Sequence, residues 1–210
     1  MEFEIFKSWN VNFLWKVKHF YLIFLFLSVN FLPTSAQTDT LIINNHKINF
    51  GQRKIKNRQI DAIIIHSTYY NWDGAPFLLE NIISVYRAYG VSAHYIIDRR
   101  GNVFSLVDEQ NVAFHAGAGI FPDGTTGGIN ERSIGIELMT DFYTSPTDAQ
   151  MESLVKLVAN IKRRHNIKYL LRHSDIAPDR KTDPWNFEWE IFLEKLKNSN
   201  KRVIVRYSNN

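Results

Sequence analysis

The stretch that decides the fold is Ile60-Asp61-Ala62-Ile63-Ile64-Ile65-His66-Ser67-Thr68. Its continuous run of branched apolar residues predicts a central β-strand that is buried on both faces. The strand delivers His66 at its carboxyl end, and ligands of open α/β sheets bind in the crevice beyond that end. His66 is therefore a candidate functional residue, and a hydrogen-bonded imidazole of the core is the alternative.

Extended and helical patterns alternate along the rest of the chain. Helical spacing of apolar residues predicts helices over residues 75–89, 145–164 and 185–196, with Ser145 as the cap of the second. Residues 91–98 and 103–107 predict a β-hairpin, and residues 133–139 and 169–171 predict two more strands. This order predicts an α/β fold, with a mixed central β-sheet flanked by helices in a single domain.

The first 36 residues differ from the rest of the chain. Lys16 and Lys18 precede an apolar run over residues 20–32, and the small residues Thr34-Ser35-Ala36 follow it. This pattern predicts a signal peptide that is cleaved after Ala36, and a secreted or periplasmic protein; an uncleaved anchor is the alternative. We assign residues 37–59 to an N-terminal arm with room for an edge strand, residues 60–197 to the domain and residues 198–210 to a C-terminal tail.

The composition limits the chemistry. The 210 residues are 45% hydrophobic and 22% charged, which is typical of one globular domain with a proper core. Because the chain has no cysteine, disulfides, thiolate nucleophiles and thiolate zinc ligands are excluded, and a metal site must use His, Asp or Glu. The net charge of +4 is a weak basic bias that suits an anionic polymer, and no basic run with interleaved aromatic residues indicates nucleic acid.

Polar side chains suited to hydrolysis emerge from three of the predicted strands. His173 opens a proline-containing polar loop that also holds Lys181 and Asp183. Glu137 lies within an apolar strand, where a carboxylate must be paired, metal-bound or shifted in pKa; a structural salt bridge is the alternative. The imidazoles of His66 and His173 with one carboxylate form a zinc set that leaves a fourth position for water. Either Glu137 or Asp183 can be the carboxylate ligand. The acid that is not a ligand is then the general base, and Lys181 neutralises the oxyanion.

Two further histidines carry weaker signals. His115 lies in a glycine-rich stretch over residues 111–132, which is too long for an ordinary connection and predicts a substrate-contacting loop. His94 lies within a predicted strand, where a supporting or packing role outweighs metal ligation.

Five segments follow one another along the chain. They are Ile63-Ile64-Ile65-His66-Ser67-Thr68, Val91-Ser92-Ala93-His94-Tyr95-Ile96-Ile97, Ala113-Phe114-His115-Ala116-Gly117, Ser133-Ile134-Gly135-Ile136-Glu137-Leu138, and His173-Ser174-Asp175-Ile176-Ala177-Pro178 with Arg180-Lys181-Thr182-Asp183-Pro184. In this order they resemble the zinc-dependent N-acetylmuramoyl-L-alanine amidases of the amidase-2 type, whose fold is shared by peptidoglycan recognition proteins and phage lysozyme-type amidases. The resemblance covers about residues 60–196.

The resemblance implies a role for each residue of the proposed site. It makes His66, His173 and Asp183 the ligands of Zn²⁺, Glu137 the general base and Lys181 the group that stabilises the oxyanion.

It also implies which residues meet the substrate. It places His115 in the substrate loop, and we add His94 and Arg180 as further candidate substrate contacts. Ala93 stands where some relatives have a tyrosine, and Phe114 where tryptophan is frequent. Asp183 stands where other relatives have a cysteine ligand. The set of three ligands is therefore complete, and because non-catalytic relatives typically lack a ligand, the resemblance argues for catalysis.

The implied activity is hydrolysis of the amide bond between the lactyl group of N-acetylmuramic acid and L-alanine of the stem peptide. The rival is a peptidoglycan-binding module that does not cut. The expected partners are peptidoglycan or muropeptides, with no nucleic acid, no membrane contact beyond the signal segment and a monomeric state. The sequence leaves open whether the substrate is polymeric wall or a recycled anhydromuropeptide, and whether the protein acts in recycling or as a lysin or toxin.

Overall fold

The computed structural model describes residues 38–199 and 202–209, so that the predicted signal peptide lies outside the described residues. Nine strands are described: β1 (Thr38–Asn45), β2 (Gln52–Lys54), β3 (Ala62–Ser67), β4 (Tyr95–Ile97), β5 (Val103–Ser105), β6 (Asn111–Ala113), β7 (Ser133–Leu138), β8 (Tyr169–Arg172) and β9 (Arg202–Asn209). The helices and short helical turns are α1 (Leu79–Tyr89), α2 (Ile129–Arg132), α3 (Asp148–Arg164), α4 (His173–Ile176) and α5 (Trp189–Asn198).

Seven strands form the central sheet, in the order β8-β3-β7-β4-β5-β1-β9. Neighbouring strands are parallel except β4 and β5, which form the predicted antiparallel hairpin. Strands β2 and β6 pair separately as a two-stranded antiparallel sheet. The prediction of an α/β fold with a mixed central sheet is therefore confirmed.

Strand β3 is buried on both faces, as its sequence predicts. All six of its residues are buried. Ile63 and Ile65 belong to the core cluster that also contains apolar residues of α3 and α5, whereas Ala62 and Ile64 pack with residues of α2 and α4. Successive side chains of a strand point to opposite faces, so an apolar run without alternation is what a sheet covered on both sides requires.

The helices begin later than predicted. The predicted cap of α3 is Ser145, but the N-cap in the structure is Thr147. The Thr147 side chain accepts from the backbone N–H of Gln150, and the Gln150 side chain accepts from the backbone N–H of Thr147. This reciprocal capping box satisfies two backbone donors, which a cap at Ser145 does not offer. Helix α1 ends at Gly90, which adopts φ 65° as a left-handed C-cap.

The two ends of the domain are more regular than the sequence indicates. The N-terminal arm contains β1, which lies inside the sheet between β5 and β9 and is not the predicted edge strand. The segment predicted as a C-terminal tail contains β9, which pairs with β1 in parallel along eight residues. The long stretch over residues 111–132 holds only the short elements β6 and α2. None of the described helices is long and apolar enough to cross a membrane.

Candidate active site

The site lies at the carboxyl ends of three adjacent strands. His66 of β3 and Glu137 of β7 are paired in register, so their side chains lie side by side on one face of the sheet. His173 follows directly after β8, which pairs with β3 on its other side. Neighbouring parallel strands thus bring together groups that are far apart in the chain, at the edge where α/β sheets bind their ligands.

Three of the predicted ligands converge here. Nδ1 of His66 lies 2.9 Å from Nδ1 of His173, and Oδ2 of Asp183 lies 3.1 Å from His173 Nδ1 and 3.4 Å from His66 Nδ1. All three residues are buried.

A chain of hydrogen bonds fixes the tautomer of His66. The Ser133 hydroxyl donates to the carbonyl oxygen of Ile129 (2.5 Å), so the hydroxyl oxygen accepts from Nε2 of His115 (3.1 Å). Nδ1 of neutral His115 then accepts from Nε2 of His66 (3.0 Å). Because a neutral imidazole carries one proton, Nδ1 of His66 is left as a lone pair. Burial and the neighbouring His173 lower the pKa of His66 to about 4, which favours this neutral form.

The orientation of His173 is fixed in a similar way. Its Nε2 lies 3.0 Å from the carbonyl oxygen of Ala116, which can only accept, so Nε2 donates to that oxygen and Nδ1 is the nitrogen available to a metal ion. Two lone pairs and an anionic carboxylate within 3.4 Å of one another repel unless a cation lies between them. Two imidazole nitrogens and one carboxylate oxygen are ligands that Zn²⁺ prefers, so the residues fit zinc.

Glu137 is the second unusual group. It is 8% exposed, and its Oε2 has no hydrogen-bond partner among the described residues. Burial, with the charge of Asp183, raises its pKa to about 8. The hydroxyl of Tyr86, on α1, is likewise buried and without a partner within the described chain, and it faces Glu137 closely enough to favour the ionised carboxylate. A buried carboxylate with an unused oxygen is suited to accepting a proton.

His115 lies behind His66 and is not confined to a surface loop. Its ring rests on Gly135 of β7, where an added Cβ would come within 2.4 Å of the ring. Gly135 is therefore needed for the histidine to reach both His66 and Ser133. Burial and the neighbouring histidines lower the pKa of His115 well below its usual range, so that the ring stays neutral. His115 also lines the cleft, so contact with a substrate and support of His66 are compatible.

His94 does not reach the cleft. It is 0% exposed, accepts from the backbone N–H of Gly135 (3.0 Å) and lies 3.0 Å from the guanidinium of Arg58. Burial and the charge of Arg58 lower its pKa to about 3. His94 therefore has no exposed surface with which to contact a substrate, and it packs inside the domain against Gly135 and Arg58.

The cations of the polar loop differ in position. Arg180 and Lys181 both line the cleft. Arg180 is exposed and donates to the carbonyl oxygens of Ala116 (3.0 Å) and Ala118, and so it also braces the loop after β6. Lys181 is half-buried beside Asp183, where an ammonium group can meet a developing negative charge.

Sequence reasoning missed part of the cleft, which has a volume of about 540 Å³. Tyr69, Phe142 and Trp185 line it together, although they come from three separate segments. Each follows a site residue closely in the sequence, since Tyr69 comes shortly after His66, Phe142 after Glu137 and Trp185 after Asp183. An aromatic residue within a few positions after each of these site residues was the available signal.

Known proteins match this chain over most of its length. The family described as "Amidase_2: N-acetylmuramoyl-L-alanine amidase" matches residues 56–186. The 1,6-anhydro-N-acetylmuramyl-L-alanine amidase AmpD of Enterobacter cloacae is 38% identical over 82% of this chain and 88% of its own length. The N-acetylmuramoyl-L-alanine amidase AmiD of Escherichia coli is 29% identical over 65% of this chain and 53% of its own length.

Solved structures have the same fold. A crystal structure of a selenomethionine derivative of AmpD superimposes with a TM-score of 0.60 at 25% identity, covering 72% of this chain and 94% of that one. The amidase LysC of Clostridium intestinale gives a TM-score of 0.57 at 26% identity, covering 74% and 97%.

Proposed function

Because the chain belongs to the Amidase_2 family of N-acetylmuramoyl-L-alanine amidases, we propose that its cleft hydrolyses the lactyl–L-alanine amide with zinc held by His66, His173 and Asp183. The observation that carries this proposal is the convergence of three metal-ligating atoms, Nδ1 of His66, Nδ1 of His173 and Oδ2 of Asp183. They lie near Glu137, whose Oε2 has no hydrogen-bond partner among the described residues. The enzyme acts on peptidoglycan-derived substrates, in keeping with its relatives.

The residues divide the reaction between them. A bound zinc ion supplies Lewis acidity, which polarises a carbonyl and acidifies water. Glu137 accepts the proton of the attacking water at its free Oε2 and returns it to the nitrogen of L-alanine as the amide C–N bond breaks. Lys181 neutralises the negative charge that develops on the carbonyl oxygen. No covalent enzyme intermediate is needed, which agrees with a chain that has no cysteine.

The partner, assembly state and location are parts of the same proposal. We infer that the protein binds muropeptides as a monomer and is exported, with cleavage after Ala36. Sequencing the amino terminus of the protein from its native host tests the export step, because cleavage leaves Gln37 as the first residue. An intact Met1 in the envelope fraction would instead indicate the uncleaved anchor.

Zinc dependence is tested with a ligand variant and a matched control. Asp183→Ala should lower the zinc content of the purified protein and abolish release of the stem peptide from an N-acetylmuramoyl peptide. Asp179→Ala, an exposed carboxylate of the same loop, should leave both unchanged. A chelator should abolish wild-type activity, and added zinc should restore it. Full zinc occupancy in Asp183→Ala would reassign the ligand to Glu137. Binding without peptide release by the zinc-loaded wild type would favour the non-catalytic module.

A further inference from the structure

The two histidines of the proposed zinc site are supported by one pair of neighbouring residues, His115 and Ala116. Nε2 of His66 lies 3.0 Å from Nδ1 of the His115 ring. Nε2 of His173 lies 3.0 Å from the carbonyl oxygen of Ala116. In both histidines Nδ1 is the nitrogen that lies near Asp183. Because the partner of the second ring nitrogen fixes the orientation of a metal-binding histidine, the position of this residue pair decides how both imidazoles face a metal ion.

The side chain of Asn130 holds this residue pair in place. Its Oδ1 accepts from the backbone N–H of His115 (3.2 Å) and from that of Ala116 (2.9 Å). Because both groups are donors, the oxygen of the amide and not its nitrogen must face them. Asn130 belongs to α2, 14 positions after Ala116 in the chain, and its single acceptor atom fixes the supports of both histidines at once.

A buried arginine fixes the backbone of α2. Arg58 is 7% exposed, and its guanidinium donates to the carbonyl oxygens of Asn130 (2.8 Å) and Glu131 (3.0 Å). A helix of four residues is too short to be stable on its own. These hydrogen bonds therefore set the direction in which the Asn130 amide projects.

Asn130 is not part of the cleft surface. It is not among the residues that line the cleft, and its amide oxygen is taken by two backbone donors of the protein. Direct contact with a substrate or a metal ion is therefore not its role. The alternative is that Asn130 only stabilises the loop after β6. Its loss would then lower the stability of the protein and leave the metal affinity of the folded state unchanged.

We infer that Asn130 is a positioning residue, which orients His66 and His173 for the metal through the His115 ring and the Ala116 carbonyl. This inference rests on the proposed function, since zinc is the metal that the two histidines would hold. It adds a residue that touches neither the metal nor the substrate. Removal of the acceptor at residue 130 weakens metal binding although every ligand remains.

The test measures the zinc dissociation constant of the purified protein by competition with a chromophoric chelator. Asn130→Leu keeps the size of the side chain but loses the acceptor. It should bind zinc about 10-fold more weakly, the lower end of what outer hydrogen bonds contribute to metal affinity. Asn130→Asp keeps an oxygen for both N–H groups and should restore the wild-type affinity. Asn160→Leu is the control and should leave the affinity unchanged, because the Asn160 amide accepts from Arg164 (2.9 Å) outside the cleft.

Two further measurements separate positioning from stability. Chemical denaturation of the zinc-free proteins gives the stability that each variant loses. The visible absorption of bound Co²⁺ depends on the arrangement of its ligands, so the Co²⁺ spectrum should change in Asn130→Leu and return in Asn130→Asp. Asn130→Ala also lacks the acceptor, and it replaces Asn130→Leu if that variant does not fold.

Three results would contradict the inference. If Asn130→Leu loses stability but keeps the wild-type zinc affinity and Co²⁺ spectrum, the positioning role is wrong while the amidase proposal stands. If Asn130→Asp binds zinc as weakly as Asn130→Leu, the acceptor oxygen does not orient the ligands, and the amidase proposal again stands. If wild type itself binds neither zinc nor Co²⁺, the proposed function fails, and the inference fails with it.

Discussion

Two carboxylates of this protein, Glu109 and Glu137, are largely removed from solvent and have opposite environments. Glu109 is partly buried, with a side chain that is 9% exposed, whereas Glu137 is buried, with 8% of the whole residue exposed. Glu109 lies between β5 and β6 and lines a different cavity, whereas Glu137 lies in β7 at the cleft. Each also has a buried tyrosine beside it, Tyr95 and Tyr86 respectively.

Glu109 is fully paired. It accepts two hydrogen bonds from the guanidinium of Arg164, one from His165 (2.7 Å) and one from the Tyr95 hydroxyl (2.7 Å). Burial alone would raise its pKa, but the hydrogen bonds and the charge of Arg164 outweigh burial and lower the pKa to about 2. This carboxylate ties the end of α3 to the sheet.

Within the part of the chain that the structure describes, Glu137 has one oxygen without a hydrogen-bond partner, and burial and the charge of Asp183 raise its pKa to about 8. The difference separates two uses of the same side chain. A paired carboxylate stabilises the fold and has no lone pair to spare, whereas an unpaired one costs stability and remains able to take a proton. Exchanging each glutamate for glutamine should therefore give opposite results.

The largest effect should be on the reaction rate. Glu137→Gln removes the proton acceptor and should lower kcat by about 10² to 10⁴ while zinc stays bound. Glu109→Gln should keep kcat within a few-fold of wild type, because no atom of Glu109 faces the cleft. Steady-state kinetics with metal analysis of each variant checks both. A Glu137→Gln variant with wild-type kcat would assign the base to another residue.

The next effect should be on stability, and it belongs to Glu109. Glu109→Gln breaks a partly buried ion pair and should lower the free energy of unfolding by about 2 kcal/mol near pH 7, less than for a fully buried pair because the Arg164 side chain is partly exposed. Because the pKa of Glu109 is lower in the folded state, this stability is present above about pH 4.5 and is lost as the pH falls toward 2. Denaturant titrations should therefore show the two curves converging at low pH. Equal stability at pH 7 would mean that the pairing contributes nothing.

Glu137 should show the reverse in zinc-free protein. Its pKa is higher in the folded state, so ionisation penalises folding from about pH 4.5 upward, and the penalty is complete above about pH 8. Glu137→Gln should consequently be more stable than wild type by on the order of 2 kcal/mol at pH 9 and similar to it at pH 4. Chemical denaturation in the presence of a chelator measures this difference. A variant that is less stable than wild type at pH 9 would show that Glu137 is paired after all.

The smallest effects should come from the two tyrosines. Tyr86→Phe removes a hydroxyl that faces Glu137, so the acid limb of the pH–rate profile should move upward by up to about one pH unit, with little loss of stability. Tyr95→Phe removes a hydrogen bond to Glu109 and should cost about 1 kcal/mol of stability without moving the profile. If both variants lose stability and neither shifts the pH profile, Tyr86 has only a packing role.

The part of the site that the sequence predicted consists of residues that interrupt a pattern. His66 and Glu137 stand out because each ends or breaks a run of buried strand residues, and His173 and Asp183 because they frame a proline-containing loop. The continuous apolar runs of the strands predict the fold, because a strand that is buried on both faces belongs to a sheet that is covered by helices on both sides.

The remainder depends on contacts that no local pattern encodes. Glu109 lies in the polar run Asp108-Glu109-Gln110, and its burial depends on Arg164, 55 positions later. Tyr86 occupies an apolar position in the periodicity of α1. The periodicity predicts that its ring is buried but not that its hydroxyl faces Glu137. Strand β9 contains the β-branched run Val203-Ile204-Val205, which favours an extended conformation. Its partner β1 lies at the other end of the domain sequence, so the run alone does not distinguish a strand of the sheet from an extended tail.

The pairing of β1 with β9 has a consequence for the order of folding. Asn44 and Ser208, which hydrogen-bond across these strands, are 164 positions apart in the chain. Contacts of such high sequence separation carry a large loop-closure entropy cost, and parallel pairing of this kind forms slowly. We therefore expect this strand pair to close last and to open first under denaturing conditions. An unfolding experiment that follows amide exchange would then lose protection at β9 while β3 and the site it carries are still folded.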